Sequence, residues 1–296
     1  MKKTVFTGVA TAIVTPLTEK GIDFDAFGKL IDAQIAAGVN AIVVCGTTGE
    51  CSTLNDEEHC AAIEFCVKRV NKRIPVIAGT GSNDTAYAIW LTNQAEKAGA
   101  DAALIVTPYY NKTTQRGLIA MFNAIADNTS LPLILYNVPS RTGVNIEPDT
   151  YVALSKHPNI VAIKEANGNI SKIVETAAKL DGALDIYSGN DDQIVPVLAC
   201  GGKGVISVLS NVCPKETVEI CDRFFAGDIK GSMAMQAKYN ELISLLFCET
   251  NPIPVKAAME KLGYCSEYMR LPLYPMAEGN RAKLFAEMDR LGVKKY

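Results

Sequence analysis

A lysine that closes an apolar run is the residue of this sequence with the most chemistry to offer. Ile160-Val161-Ala162-Ile163-Lys164 reads as a buried strand, and Lys164 stands at its end. Removal from water penalises an ammonium and lowers its pKa, which yields the neutral amine that attacks carbonyl groups. The competing reading is a lysine that snorkels to solvent or pairs with Glu165. Three other strand ends carry reactive types. Gly46-Thr47-Thr48-Gly49-Glu50 presents two hydroxyls between glycines, suited to a small anion or to a tight capped turn. Tyr136-Asn137 is followed by Val138-Pro139-Ser140-Arg141-Thr142-Gly143. The phenol can move a proton, and Arg141 can hold a carboxylate through two parallel hydrogen bonds, unless it is a solvated loop residue. Thr107-Pro108-Tyr109-Tyr110-Asn111 offers paired tyrosines for a pocket, a subunit contact or simple packing.

These residues must be positioned by the elements they end. Eight short, mostly apolar runs recur along the chain, at Gly8–Pro16, Ala41–Cys45, Pro75–Ala78, Ala103–Thr107, Leu133–Tyr136, Ile160–Lys164, Leu184–Tyr187 and Gly204–Val208. Helical signals separate them. Asp23 opens one and Gly38 stops it; Asn55-Asp56-Glu57-Glu58 starts a second; Ser82-Asn83-Asp84 and Gly99 bound a third; Leu118, Phe122 and Ile125 mark a fourth. Asp56 reads as a residue of the helix's first turn that serves the cap. Eight strands alternating with helices predict an α/β fold, a (β/α)8 TIM barrel, in preference to a doubly wound sheet. No G-x-G-x-x-G follows the first strand. Past Ala226 the strand signal ends, and Asp228–Phe247, Ile253–Leu262 and Ala277–Leu291 read as helices. The expected organisation is a catalytic barrel over residues 1–227 and a C-terminal helical appendage over residues 228–296.

Composition narrows the class. Of 296 residues, 48% are hydrophobic and 21% charged, as in an ordinary globular chain, and the formal charge is −3. A basic footprint for nucleic acid and a helix-turn-helix signal are both missing. No apolar run reaches the roughly 18 residues of a membrane span. The Met-Lys-Lys start runs into a strand-like segment, so a cytoplasmic protein is expected. Nine cysteines, without a C-x-x-C pair, read as free thiols. Cys45, Cys51, His59 and Cys60 match no zinc spacing, and no metal site is expected. Ser188-Gly189-Asn190-Asp191 and Gly204-Val205-Ile206-Ser207 end the last two strands without a basic cluster, which favours a small-molecule floor over a phosphate site.

On one barrel rim, an amine, a phenol, a hydroxyl pair and an arginine make a carbonyl-activating set with a proton relay and an anion clamp. Gly46-Thr47-Thr48-Gly49-Glu50, Tyr136–Gly143 and Ile163-Lys164-Glu165-Ala166 resemble the dihydrodipicolinate synthase family, over almost the whole chain. The resemblance implies that Lys164 forms a Schiff base with pyruvate, and that its enamine attacks L-aspartate 4-semialdehyde on the route to diaminopimelate and lysine. It assigns the relay to Tyr136, Thr47 and Tyr110, with Tyr110 reaching in from a neighbouring subunit. It places Thr48 and the backbone at Gly189 and Ile206 around pyruvate, and Arg141 on the semialdehyde carboxylate. No metal or organic cofactor is implied, and no pyridoxal phosphate cradle is recognisable. The family is commonly a dimer of dimers, and Ile170, Ser171 and Cys200 fall where its smaller interface lies.

The same resemblance locates a possible lysine effector pocket at Asn83, Tyr109 and His59. There Tyr87 replaces the acid that usually receives the lysine ammonium, and Asp56 takes the place of a frequent second histidine. Weak feedback by lysine is therefore expected. N-acetylneuraminate lyase and keto-deoxy-sugar aldolases share the lysine and the tyrosine, but the Ser140–Gly143 stretch favours the synthase. A barrel that only binds a keto acid is the remaining alternative.

Overall fold

The computed structural model describes residues 2–296; Met1, the first residue of the basic start, lies outside them. In chain order the strands are β1 (Gly8–Ala12), β2 (Leu17–Thr18), β3 (Gly21–Ile22), β4 (Ala41–Val44), β5 (Val76–Gly79), β6 (Ala102–Val106), β7 (Leu133–Asn137), β8 (Ile160–Glu165), β9 (Asp185–Ser188) and β10 (Gly204–Ser207). The helices are α1 (Phe24–Ala36), α2 (Asp56–Val70), α3 (Thr85–Ala98), α4 (Gln115–Ala126), α5 (Pro139–Thr142), α6 (Pro148–Leu154), α7 (Ile170–Leu180), α8 (Ile194–Ala199), α9 (Pro214–Phe225), α10 (Ile229–Leu246), α11 (Ile253–Lys261) and α12 (Glu278–Leu291). The eight apolar runs of the sequence become β1 and β4 to β10, which close into an all-parallel barrel. They are buried on both faces, as strands enclosed by helices must be.

Two features depart from the sequence reading. The first run stops as a barrel strand at Ala12, and β2 and β3 add a small antiparallel pair behind it. The Pro139–Thr142 stretch, read as loop, is a helical turn opened by Pro139 and closed by Gly143 at φ 68°.

Side chains alternate along each strand, so one set fills the barrel and the other meets the helices. The inner set includes Ala10, Val43, Ile77, Leu104, Ile134, Ala162 and Ile206. The lower end is plugged by Phe6, whose ring stacks on Tyr187 at 4.1 Å while the Tyr187 hydroxyl donates to the Phe6 carbonyl at 2.7 Å. The helix signals hold. Asp23, Asn55, Asp84 and Thr114 each cap the helix that follows, and Asn55 forms a capping box with Glu58.

The C-terminal helices do not stand apart from the barrel. Leu242, Leu246, Val255, Ala258, Leu284 and Met288 bury themselves in the apolar layer that also holds Ile13, Leu30 and Ile63. Three polar ties then fasten this region to the segment after β4. Asn251 Nδ2 donates to Thr48 Oγ1 at 3.0 Å. Lys256 Nζ meets Glu50 Oε1 at 3.0 Å and donates to the Thr15 carbonyl at 2.9 Å. Arg270 donates to the Thr53 carbonyl and pairs with Glu58.

The Lys256–Glu50 side chains are fully buried. Burial pushes the Glu50 carboxyl up, and the Lys256 charge opposes that rise. Removing one member leaves the other charge without a partner in a dry setting. Lys256→Met should therefore cost about 3–5 kcal/mol in a denaturant titration. Adding Glu50→Gln to Lys256→Met should recover a large part of that loss.

Candidate active site

The upper end of the barrel holds a cavity of about 170 Å³, lined among others by Thr47, Thr48, Tyr136, Arg141, Lys164 and Gly189. Drug-sized sites run to roughly 300–1,000 Å³, so this space suits a small metabolite. Its residues come from the ends of β4, β7, β8 and β9, where this architecture carries chemistry.

Lys164 is 6% exposed and shares the inward face of β8 with Ala162. Its Nζ lies 4.3 Å from the centre of the Tyr136 ring. The two residues are opposite one another in the β7–β8 ladder. Lys164 does not pair with Glu165, the competing possibility from the sequence. Glu165 turns to the other face and accepts from Asn137, Tyr151 and Asn167 instead.

The Thr47–Thr48 segment is a tight turn and a cavity wall at once. The Gly49 and Glu50 N–H groups donate to the carbonyls of Gly46 and Thr47. Cys45 and Glu50 bracket the turn with φ of 55° and 57°, the left-handed region that side chains seldom enter. Thr48 is buried and bonded to Asn251, whereas Thr47 is half-buried. Arg141 rides on α5 at the rim, and its Nη2 donates to the Asn251 carbonyl at 3.1 Å. Gly189 must lack a side chain, because a Cβ there would come within 2.7 Å of Ala166 Cβ and 3.2 Å of Lys164 Cε.

Two proposed residues are not among the walls of this cavity. Ile206 is fully buried in β10 opposite Ala10, and Val208 forms the wall in its place. Tyr110 is 93% exposed with φ 70°, and it lines neither this cavity nor its neighbour. Within one chain it does not meet Tyr136 and Thr47.

Three wall or support residues escaped the sequence reading. Asn251 and Phe247 come from the C-terminal helical region. Asp191 is buried, and its Oδ2 accepts from the Val208 and Leu209 N–H groups at 2.9 Å each. Burial raises its carboxyl, against those bonds and the nearby Lys164 charge. Asp191 lay inside a recognised strand-end motif, but nothing in the spacing marked Asn251 or Phe247.

A second cavity, about 540 Å³, shares Thr47, Tyr136 and Arg141 with the first. His59, Tyr87 and Tyr109 also line it. Burial lowers the His59 pKa, and its Nε2 lies 2.9 Å from the Gly79 carbonyl. Asn83 and Asp56 are not among these walls, although Asn83 Nδ2 donates to the Tyr109 carbonyl at 3.1 Å. Asp56 does not cap α2 as expected. Asn55 has that position, and Asp56 Oδ1 accepts from the Tyr87 hydroxyl at 2.6 Å.

Comparison with known proteins decides the family. Residues 5–290 match the family described as the dihydrodipicolinate synthetase family. The chain belongs to the dihydrodipicolinate synthetase family. A relative from Alkaliphilus oremlandii, a 4-hydroxy-tetrahydrodipicolinate synthase, is 54% identical over 98% of this chain and 100% of its own length. The chloride-inhibited dihydrodipicolinate synthase of Acinetobacter baumannii, solved with pyruvate, superposes with a TM-score of 0.95. It is 45% identical over 98% of this chain and 100% of that one. A monomeric dihydrodipicolinate synthase variant gives a TM-score of 0.96 at 43% identity, covering 98% of each chain.

Gly189 provides a test of the site's tolerance. Gly189→Ala should displace the Lys164 side chain and slow dihydrodipicolinate synthase turnover by about 10²-fold, the effect of a misplacement near 1 Å. Steady-state kcat, read beside an unchanged circular-dichroism spectrum, checks this.

Proposed function

We propose that this enzyme, a lyase, is a 4-hydroxy-tetrahydrodipicolinate synthase that works through a Schiff base on Lys164. The observation carrying the proposal is the buried amine of Lys164 against the Tyr136 ring, in a small cavity that also holds Arg141. Lys164 Nζ attacks the keto carbon of pyruvate and water leaves, giving an imine. Loss of a methyl proton makes the enamine, whose carbon bonds to the aldehyde carbon of L-aspartate 4-semialdehyde. The semialdehyde nitrogen then attacks the imine carbon, closes the ring and releases Lys164. Lysine itself is the electron sink, so the scheme requires neither metal nor organic cofactor.

Each step moves a proton; Tyr136 and Thr47, which both line the cavity, would carry it in this scheme. Thr48 and Gly189 would hold pyruvate, with the backbone near Ile206 completing the floor through Val208. Arg141 would clamp the semialdehyde carboxylate at the rim. Tyr110 fits a role in a neighbouring subunit's site, since its ring projects from the surface. That assignment belongs with a homotetramer built as a dimer of dimers, in which Ile170, Ser171 and Cys200 would meet a partner. The barrel over residues 1–227 carries the catalytic strands, and residues 228–296 supply Phe247 and Asn251 to the cavity. Among the described residues no helix is long and apolar enough to cross a membrane. The cytoplasm is the proposed location.

Incubation with pyruvate and borohydride should leave a reduced pyruvyl group on the Lys164 peptide. Lys164→Arg should abolish both the adduct and turnover, because a guanidinium stays protonated. An adduct on a different lysine, read by peptide mass analysis, would move the nucleophile. Turnover of N-acetylneuraminate in place of the semialdehyde would establish the sugar-aldolase reading.

The second cavity is proposed as a poor lysine site. The Tyr87 hydroxyl already donates to Asp56, so it offers an incoming ammonium a neutral oxygen in place of a carboxylate. Loss of a charge-assisted hydrogen bond costs about 1.5–3 kcal/mol, roughly tenfold to a hundredfold in affinity. L-Lysine should inhibit the initial rate weakly or not at all at subsaturating pyruvate. Half-inhibition well below millimolar lysine would contradict this.

A further inference from the structure

Two neighbouring strands each carry a buried polar residue immediately after a residue of the cavity. Asn137 follows Tyr136 on β7, and Glu165 follows Lys164 on β8. Asn137 and Glu165 are opposite each other in the ladder, one step beyond the Tyr136–Lys164 pair. Alternation turns them away from the cavity, between the barrel and the helices. There Tyr151 of α6, itself fully buried, meets them.

The bonding is nearly saturated. Asn137 Nδ2 donates to both Glu165 oxygens, at 2.9 and 3.2 Å, and to Asn145 Oδ1 at 2.8 Å. Asn137 Oδ1 accepts from the Ile146 N–H at 3.1 Å. Glu165 Oε2 accepts from the Tyr151 hydroxyl at 2.8 Å, and Oε1 from the Asn167 N–H at 2.9 Å. Burial lifts the Glu165 carboxyl to about 7, against the donors Tyr151, Asn167 and Asn137.

Upstream the same ladder is irregular. Leu133 pairs with Ile160, but Ile134 pairs with Ala162, so β8 carries one extra residue. A strand shifted by one residue presents its opposite face. Apolar neighbours on both sides of β8 resist such a shift weakly, because Ile and Val pack acceptably on either face. Directional hydrogen bonds beyond the bulge do not tolerate it.

We propose that Glu165, with Asn137 and Tyr151, is a positioning cluster that locks β7 against β8 and thereby holds the Tyr136 ring on Lys164. This inference rests on the assignment of Lys164 and Tyr136 as the reacting pair. None of the three residues touches the cavity; they act through the strands that carry the pair.

The test is a double-mutant cycle with Tyr136→Phe. Tyr151→Phe removes one donor and little volume. Glu165→Gln keeps the shape but turns an N–H against Asn137 or Asn167. Each should lower kcat by about tenfold to a hundredfold, while borohydride still traps pyruvate on Lys164. In the Tyr136→Phe background the same substitutions should cost less than about threefold, because the phenolic hydroxyl whose placement they fix is gone. Thermal midpoints are measured alongside, and rates are taken well below them. If Glu165→Gln does not fold, Tyr151→Phe carries the cycle alone. Turnover within about twofold of wild type, or equal losses in both backgrounds, overturns the positioning role. A Tyr136→Phe enzyme as fast as wild type overturns the catalytic assignment instead, and the proposal with it.

Discussion

A charge pair sealed from water governs how this protein is assembled. Glu50 ends the Thr47–Thr48 turn and Lys256 sits on α11, more than two hundred residues later. Neither side chain reaches solvent, so each is tolerable only with the other in place. The consequence is mutual dependence. The turn after β4 and α11 stabilise one another, because each buries a charge that the other neutralises. Asn251 and Arg270 reinforce the same tie on either side. The cavity is thus completed by residues remote in sequence, and Thr48 is held by the C-terminal region through Asn251.

Within that frame, rigidity is graded. Lys164 and Tyr136 stand on paired strands inside a closed barrel, where the ladder fixes their backbones and the amine lies against the ring. Arg141 stands on a four-residue turn and is exposed. In the proposed roles, the Lys164 amine needs an exact partner distance, whereas the Arg141 guanidinium can find a carboxylate over a wider arc. The more demanding chemistry therefore occupies the stiffer support.

Much of this was legible in the chain. Strands buried on both faces leave uninterrupted apolar runs, which is why all eight could be located and why Lys164 stood out as the polar end of one. The left-handed bracket at Cys45 and Glu50 was hidden, since neither residue type announces that conformation. The β2–β3 pair escaped because two-residue strands carry no period. Asn251 and Phe247 escaped for a different reason: they reach the cavity through tertiary docking, and an asparagine between helices looks like any turn residue. Asp56 misled because an acid in a helix's first turn has an obvious local use, while its actual partner, Tyr87, belongs to the next helix. The Asn137–Glu165 contact needed the ladder register, which no single strand reveals.

The short turn that bears Arg141 has an implication for how such a scaffold diversifies. It begins at a proline, ends at a glycine, and leaves β7 only after Tyr136 and Asn137 have been set. Its ends are thus defined by backbone geometry instead of by packing against the reacting pair. A replacement of equal length, with different side chains, could meet a new acceptor aldehyde while the nucleophile and its phenol stayed where they are. On the proposed roles, bond-making and acceptor choice occupy separable modules, so a lineage could change what it joins to pyruvate without rebuilding the means of joining it.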